Sequence, residues 1–153
     1  YLLFVVTDDM QKNEQTESAH CDLGDSVKIV FDSDHNGGMG YRGHDFEMGI
    51  CVNRAGNVVF HRWVEQGKYI GVNPPWPVAV FVARKENDKQ TIYQLALPLN
   101  YLRLKSEAGH KFGFSFIVND QDAGAAVEKA IGASPGVGNP PYPSLFGEGR
   151  LGH

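Results

Sequence analysis

The sequence lacks the features that mark several large classes of protein. Its 14 lysines and arginines are mixed with 18 acidic residues, so the net charge is −4 and no basic cluster is present. A surface that binds nucleic acid needs such a cluster. The longest apolar run, Tyr1–Val6, has the length of a strand, far short of the ~20 residues that cross a bilayer. We therefore predict no nucleic-acid partner and no membrane span.

A zinc-binding motif is also missing. The six histidines are scattered without the H-E-x-x-H spacing of a zinc site. Carboxylates are plentiful, but no spacing singles out an acid/base pair. We predict that the chain is not an enzyme by itself, although it could be a module or fragment of a polysaccharide-degrading enzyme.

Cysteine is scarce as well. The sequence contains only Cys21 and Cys51, which permit one disulfide but do not require it. Two buried free thiols are the alternative interpretation. The sequence leaves both open.

Alternation of apolar and polar residues at period two is the dominant pattern in what is present. It occurs in Ser26–Phe31, Asp45–Asn53 and Phe112–Val118, and turns rich in glycine and proline separate such segments. The pattern predicts an all-β fold, an antiparallel β-sandwich of the jelly-roll or immunoglobulin-like kind with little helix. The length of 153 residues predicts a single domain over 1–153. The segment Gln121–Tyr142, which is rich in glycine, alanine and proline, is predicted to be a long loop with a short helix at Ala125–Ile131.

Aspartates crowd the ends of the predicted strands. Calcium prefers six to eight oxygen ligands, and acidic turns that converge at one end of a sandwich can supply them. Aspartate is also a common turn and cap residue without any metal. The sequence alone does not decide between these two interpretations.

Five blocks of sequence match the strand motifs of one family in their order along the chain. They are Tyr1–Asp9 (YLLFVVTDD), Asp25–Asp32 (DSVKIVFD), Thr91–Leu99 (TIYQLALPL), Lys111–Asp120 (KFGFSFIVND) and Pro143–Gly147 (PSLFG). Together they resemble the family 9 carbohydrate-binding modules and the wider group of DOMON-like β-sandwich domains. The resemblance implies a non-catalytic module that binds a polysaccharide or oligosaccharide as part of a secreted glycan-processing protein. It also implies an extracellular or periplasmic location.

The resemblance implies a calcium site and an incomplete N-terminus. Family members bind structural calcium, and the residues expected to do so here are Asp8, Asp9, Asp25, Asp120 and Asp122. In the family the first motif follows an N-terminal hairpin, so this chain is expected to lack its first strands. Tyr1–Val6 is then expected to be an apolar edge that is covered by a neighbouring chain, a preceding segment or a partner.

The family's sugar site is only partly matched. Its best-known members clamp a sugar between two tryptophans, and the equivalent positions here fall near Asp22 and Pro140, neither of which is tryptophan. The polar pair that faces the sugar maps to Lys28 and Glu47. Both have the strand parity opposite to the predicted core residues.

Other aromatic residues are therefore expected to provide the stacking surface. Sugars present C–H faces that pack on aromatic rings, and we predict that Trp63, Trp76 and Tyr142 contribute. A packed structural role is the alternative for each tryptophan.

A haem-binding electron-transfer domain of the DOMON type is the main alternative function. Haem needs axial ligands, which Met10, Met39 or Met48 could supply together with histidine or lysine. No C-x-x-C-H attachment motif is present.

Overall fold

The computed structural model describes residues 1–70, 78–122 and 129–152. Within this part of the chain, regular structure consists of ten strands and three short 3₁₀ helices. The strands are β1 (Leu2–Thr7), β2 (Ser26–Asp32), β3 (Asp45–Val52), β4 (Val58–Glu65), β5 (Lys68–Tyr69), β6 (Ala79–Lys85), β7 (Gln90–Ala96), β8 (Lys111–Asp120), β9 (Lys129–Gly132) and β10 (Gly147–Arg150). The 3₁₀ helices are Ser18–Leu23, Glu86–Asp88 and Pro143–Leu145. No described helix is long and apolar enough to traverse a bilayer.

The strands form two antiparallel sheets. The smaller sheet has the order β1-β7-β6, and the larger has the order β10-β8-β2-β3-β4-β5, with β9 also paired to β8. β10 pairs with the first half of β8 and β9 with its second half. The predicted all-β antiparallel sandwich is confirmed.

The core lies between the two sheets and follows the alternation of the sequence. Val27, Ile29 and Phe31 of β2 face the same side as Phe46, Met48 and Ile50 of β3, and all six are buried. Tyr93 and Leu95 of β7 meet them from the smaller sheet. Because side-chain direction alternates along a strand, the intervening residues of β2 and β3 lie on the outer face of the larger sheet.

The 3₁₀ helix Ser18–Leu23, called the 18–23 helix below, lies on this outer face. The Trp63 indole Nε1 donates to the carbonyl of Ala19 over 2.8 Å, and the Asn119 amide donates to the carbonyl of Asp22 over 3.2 Å. The helix also brings Cys21 to the sheet, where both Cys21 and Cys51 are buried free thiols.

β1 is the terminal strand of the smaller sheet. Among the described residues its only strand partner is β7, and its side chains alternate between half-buried and exposed. Leu3 and Val5 are 63% and 52% exposed on the outer face. The strand is therefore an edge, as predicted, and what covers it stays a prediction.

The predicted short helix at Ala125–Ile131 is wrong over the part that the structure describes. Residues 123–128 lie outside the described residues, and Lys129–Gly132 forms strand β9. Its residues pair with Ile117–Asp120 of β8. Pairing with an available sheet edge overrides a weak local helix preference.

Candidate functional site

Lys28 occupies the centre of the outer face of the larger sheet. It lies on β2 between Gly49 of β3 and Ile117 of β8. Its Nζ is 2.7 Å from Asp22 Oδ2 and 2.8 Å from Glu47 Oε1. All three side chains are largely withdrawn from solvent. Burial lowers the pKa of Lys28, but Glu47 and Asp22 outweigh that effect and raise it above its ordinary value.

Trp63 forms a wall beside this ion-pair network. Its ring edge stands over Gly49, where an added Cβ would lie only 2.5 Å from the ring. The Lys28 ammonium is 4.7 Å from the ring centroid, a distance at which a cation is attracted to an aromatic face. The absence of a side chain at Gly49 is therefore what allows Trp63 to lie against the sheet.

His61 supports the same wall from β4. Its ring centroid is 5.2 Å from that of Trp63, and its Nδ1 is 3.1 Å from the Ser18 hydroxyl on the 18–23 helix. Burial lowers the pKa of His61, which favours the neutral imidazole. The helix and β4 together thus fix the orientation of the indole.

Two tyrosines border Glu47 on its other side. β5 pairs with β4 so that Tyr69 is opposite Val64, which is itself opposite Glu47 across a β-bulge. Tyr69 is 70% exposed, and its ring packs edge-on against Tyr41 at 6.3 Å. Burial and the nearby Glu47 carboxylate raise the pKa of Tyr41. Its buried hydroxyl has no hydrogen-bond partner of good geometry among the described residues.

A glycine-containing loop between β2 and β3 carries Tyr41. The Asp32 carboxylate accepts the backbone N–H groups of Asn36 and Gly37 at 3.1 and 2.7 Å. Arg42 donates to the carbonyls of the same two residues, and its guanidinium lies against Gly38, whose φ is +104°. A side chain at Gly38 would collide with Arg42 and strain the backbone. The loop backbone is therefore held by hydrogen bonds from Arg42 and by hydrogen bonds that it donates to Asp32.

The structure brings together three of the five predicted ligand-binding residues, namely Lys28, Glu47 and Trp63. Tyr142 is half-buried in a separate loop, which meets the Tyr41 loop through hydrogen bonds from Gly40 to Pro141 and from Ser144 to Gly38. Trp76 lies outside the described residues.

Asp22, Tyr41 and Tyr69 complete the cluster, although our site prediction did not include them. Asp22 occupies the region where the family's first tryptophan falls, and its charge opposite Lys28 was the signal available in the sequence. Tyr69 and Tyr41 were visible only as aromatic residues next to turns. We call Asp22, Lys28, Glu47, Trp63, Tyr41 and Tyr69 the outer-face cluster.

A second cluster, of aspartates, lies at one end of the sandwich. Carboxylate oxygens of Asp8, Asp25 and Asp120 all lie within 4.8 Å of one another. Those of Asp8, Asp9 and Asp122 form a second such group. The structure thus brings together all five aspartates predicted as calcium ligands.

Asp25 is the buried member of the aspartate cluster. It accepts the Gln121 backbone N–H at 2.6 Å and also that of Lys12. Burial raises its pKa to about 7, against the opposing effect of these hydrogen bonds, and the charges of Asp8 and Asp120 add to the rise. A cavity of about 150 Å³ opens beside these carboxylates between β1, β7 and the β8–β9 pair.

The chemistry of the aspartate cluster fits calcium. Oδ1 atoms of Asp120 and Asp122 are buried and have no hydrogen-bond partner among the described residues. The Lys129 ammonium lies 3.5 Å from Asp120 and 3.3 Å from Asp122. A group of carboxylates with unsatisfied oxygens is the ligand set that a hard divalent cation prefers.

Comparison with solved structures finds the same fold in two carbohydrate-binding modules of family 9 from Caldicellulosiruptor kristjanssonii. The module in complex with cellotriose is 22% identical, with a TM-score of 0.70 over 98% of this chain and 67% of its own. The module in complex with glucose is 21% identical, with a TM-score of 0.70 over 99% of this chain and 70% of its own. At these identities the likeness shows the fold.

Sequence comparison identifies the family. A search of curated proteins finds no match. The model of the carbohydrate family 9 binding domain-like family matches residues 1–152, which is nearly the whole chain. This protein therefore belongs to the carbohydrate family 9 binding domain-like family.

Proposed function

We propose that the chain is a non-catalytic carbohydrate-binding module whose ligand lies on the outer-face cluster. The observation that carries this proposal is the ion-pair network of Asp22, Lys28 and Glu47, which is largely shielded from solvent and lies beside the Trp63 ring. Domains of this family are non-catalytic binding modules. The two structural neighbours were solved with cellotriose and with glucose, so we propose short β-glucan oligosaccharides as the first ligands to test.

The cluster supplies the contacts that a neutral sugar needs. An ammonium has three donors, and Lys28 uses two of its N–H groups on Asp22 and Glu47. The third N–H and the remaining carboxylate lone pairs are available to sugar hydroxyls. Hydrogen bonds to charged groups contribute about 1.5–3 kcal/mol each. Tyr69 offers an exposed ring on which a sugar can stack.

Calcium stabilisation, a host protein that is secreted and processes glycans, and an extracellular or periplasmic location are also part of the proposal. The support for calcium is the fit of the aspartate cluster to that ion. When bound, calcium would offset the repulsion between the carboxylates of Asp8, Asp9, Asp25, Asp120 and Asp122.

Calorimetric titration of cello-oligosaccharides into wild-type and variant chains tests the sugar site. Glu47→Gln removes a charged acceptor and is expected to weaken binding about tenfold or more. Trp63→Ala and Tyr69→Ala are each expected to weaken it about three- to tenfold through lost stacking. Tyr142→Ala and Trp76→Ala test the two remaining predicted aromatic residues.

Phe81→Ala is the matched control. Phe81 is 56% exposed on the smaller sheet, away from the outer-face cluster, so its loss should leave affinity unchanged. Thermal unfolding of every variant separates a folding defect from a binding defect. Equal affinity in wild type and in the Glu47, Trp63 and Tyr69 variants would place the ligand elsewhere.

A further inference from the structure

Cys21 and Cys51 form a thiol pair that the proposed sugar site does not use. Cys21 belongs to the 18–23 helix and Cys51 to β3. Both side chains are essentially inaccessible to solvent, at 0% and 1% exposure. The neighbouring Cys51 thiol and burial both raise the pKa of Cys21.

Contacts on either side of Cys21 hold its helix in place without help from the thiols. Ser18 contacts His61 of β4, Ala19 accepts the hydrogen bond from Trp63, and Asp22 accepts one from Asn119 of β8. The Asn13 side chain also donates to the carbonyl of Cys21 at 3.0 Å. The docked helix therefore holds Cys21 against the outer face of the larger sheet, which is also the face that carries Cys51, because its neighbour Ile50 points into the core.

We propose that Cys21 and Cys51 form a disulfide when the chain folds under oxidising conditions, and that this bond ties the 18–23 helix to β3. The bond would join two elements that are about 30 residues apart in sequence. It would hold in place the Ala19 carbonyl and the Asp22 carboxylate, which orient Trp63 and Lys28. This inference does not rest on the proposed sugar-binding function.

The oxidation is a thiol–disulfide exchange with a small-molecule disulfide such as oxidised glutathione. The thiolate of one cysteine attacks the glutathione disulfide and releases one reduced glutathione, which leaves a mixed disulfide on the protein. The second cysteine attacks that mixed disulfide and releases another reduced glutathione. Two protein thiols are oxidised, one glutathione disulfide is reduced, and both protons end on the glutathione thiols.

The buried position of the pair determines when this exchange occurs. Thiolate is the reactive species; in the folded chain the pKa of Cys21 is raised and both thiols are shielded from solvent. Exchange is therefore expected before the 18–23 helix has docked, and the completed disulfide is then expected to resist reduction until the helix opens.

Refolding in a glutathione redox buffer tests the proposal. The unfolded, reduced 153-residue chain is refolded, denatured again and treated with iodoacetamide. We expect no alkylated cysteine and a mass lower by two hydrogen atoms. We also expect a melting temperature roughly 5–10 °C above that of the reduced protein, from closure of the loop. Two alkylated cysteines, or only glutathione adducts, would overturn the proposal.

Two further measurements keep the result unambiguous. Cys21→Ala and Cys51→Ala each leave one thiol, so either variant should show at most one glutathione adduct and never the loss of two hydrogens. If these variants fail to fold, hydrogen exchange compares the wild-type chain in its two redox states. Slower exchange of residues 18–23 after oxidation is expected, and equal exchange in both states would contradict the tie between the helix and β3.

Discussion

At the scale of single residues, Gly49 decides whether Trp63 can reach its position. An added Cβ would lie 2.5 and 2.7 Å from two atoms of the indole, and the φ of Gly49 is one that alanine can adopt. Gly49→Ala is therefore expected to displace Trp63 without straining the backbone. We expect about 1–3 kcal/mol of destabilisation from overpacking, a shifted tryptophan emission and weaker oligosaccharide binding.

Urea unfolding, fluorescence and calorimetric titration measure these three effects of Gly49→Ala. Gly152→Ala is the matched control because no atom lies within 4 Å of its added Cβ. If Gly49→Ala bound oligosaccharide as wild type does, Trp63 would have no part in the site.

Asp25 gives the metal-free protein a distinctive pH dependence. Burial raises its pKa from 3.8 to about 7, so the folded state holds this proton more tightly than the unfolded state does. The stabilisation that protonated Asp25 contributes to the free energy of unfolding is complete below pH 3.8 and is lost as the pH rises through 7. The stability of the chelator-treated protein is therefore expected to fall between pH 4 and 7.

Asp25→Asn removes this titration and is expected to reduce the fall. Urea unfolding at several pH values measures it. Asp45 is a matched comparison elsewhere in the fold, because burial raises its pKa to about 7 as well. Asp45→Asn should therefore remove a separate part of the fall in stability between pH 4 and 7. Parallel stability curves for wild type and Asp25→Asn would contradict the role of Asp25.

At the scale of elements, the edge strand β1 is the part of the fold that invites association. Leu3 pairs with Gln94 of β7, which pairs with Phe81 of β6, and Leu3 and Phe81 are both exposed. An open edge beside an apolar face favours pairing with another chain. We expect the isolated chain to self-associate as its concentration rises.

Leu3→Lys is expected to reduce this association, because a charge at an edge opposes pairing. Sedimentation velocity over a range of concentrations measures it. Val58→Lys, at an exposed position that begins β4, is the control and should associate as wild type does. A wild-type chain that stays monomeric throughout would show that no second copy covers the edge.

At the scale of the whole molecule, calcium is expected to link the first strand to the end of β8. Three of the five aspartates lie between β1 and β2, and the other two are the last residue of β8 and a residue just after it, so a bound ion would hold together both sheets. Binding to the folded state alone adds about 2.7 kcal/mol when the ion is present at a hundred times its dissociation constant. We expect a higher melting temperature with calcium than with chelator, and a larger difference at pH 8 than at pH 5, since protonated Asp25 opposes binding.

Lys129 provides a sharper form of the calcium test. Its ammonium lies beside Asp120 and Asp122 and competes for their charge, so Lys129→Ala is expected to raise calcium affinity. Lys68→Ala, on the distant strand β5, is the control. A melting temperature that chelation leaves unchanged in wild type would refute the site.

The sequence by itself determined the class of fold and the two faces of the central strands. Alternation in β2, β3 and β8 was sufficient because successive side chains of a strand point to opposite faces of the sheet, so period two alone assigns Lys28 and Glu47 to the side opposite Ile29 and Met48. The ordered motifs were sufficient for the family. The aspartates could be proposed as one group only through the resemblance.

Only the tertiary structure decided which side chains meet. Asp22 pairs with Lys28 because the 18–23 helix is docked on the sheet. Tyr69 lies near Glu47 because β5 pairs with the end of β4. Cys21 neighbours Cys51 because the same docked helix carries it to the sheet. These contacts join residues that are distant in sequence and lie on irregular segments, where no period specifies direction. The local alternation of residues therefore predicted which side chains share a face of the sheet. The packing of the 18–23 helix, the loops and β5 against that sheet decided which of them form the site.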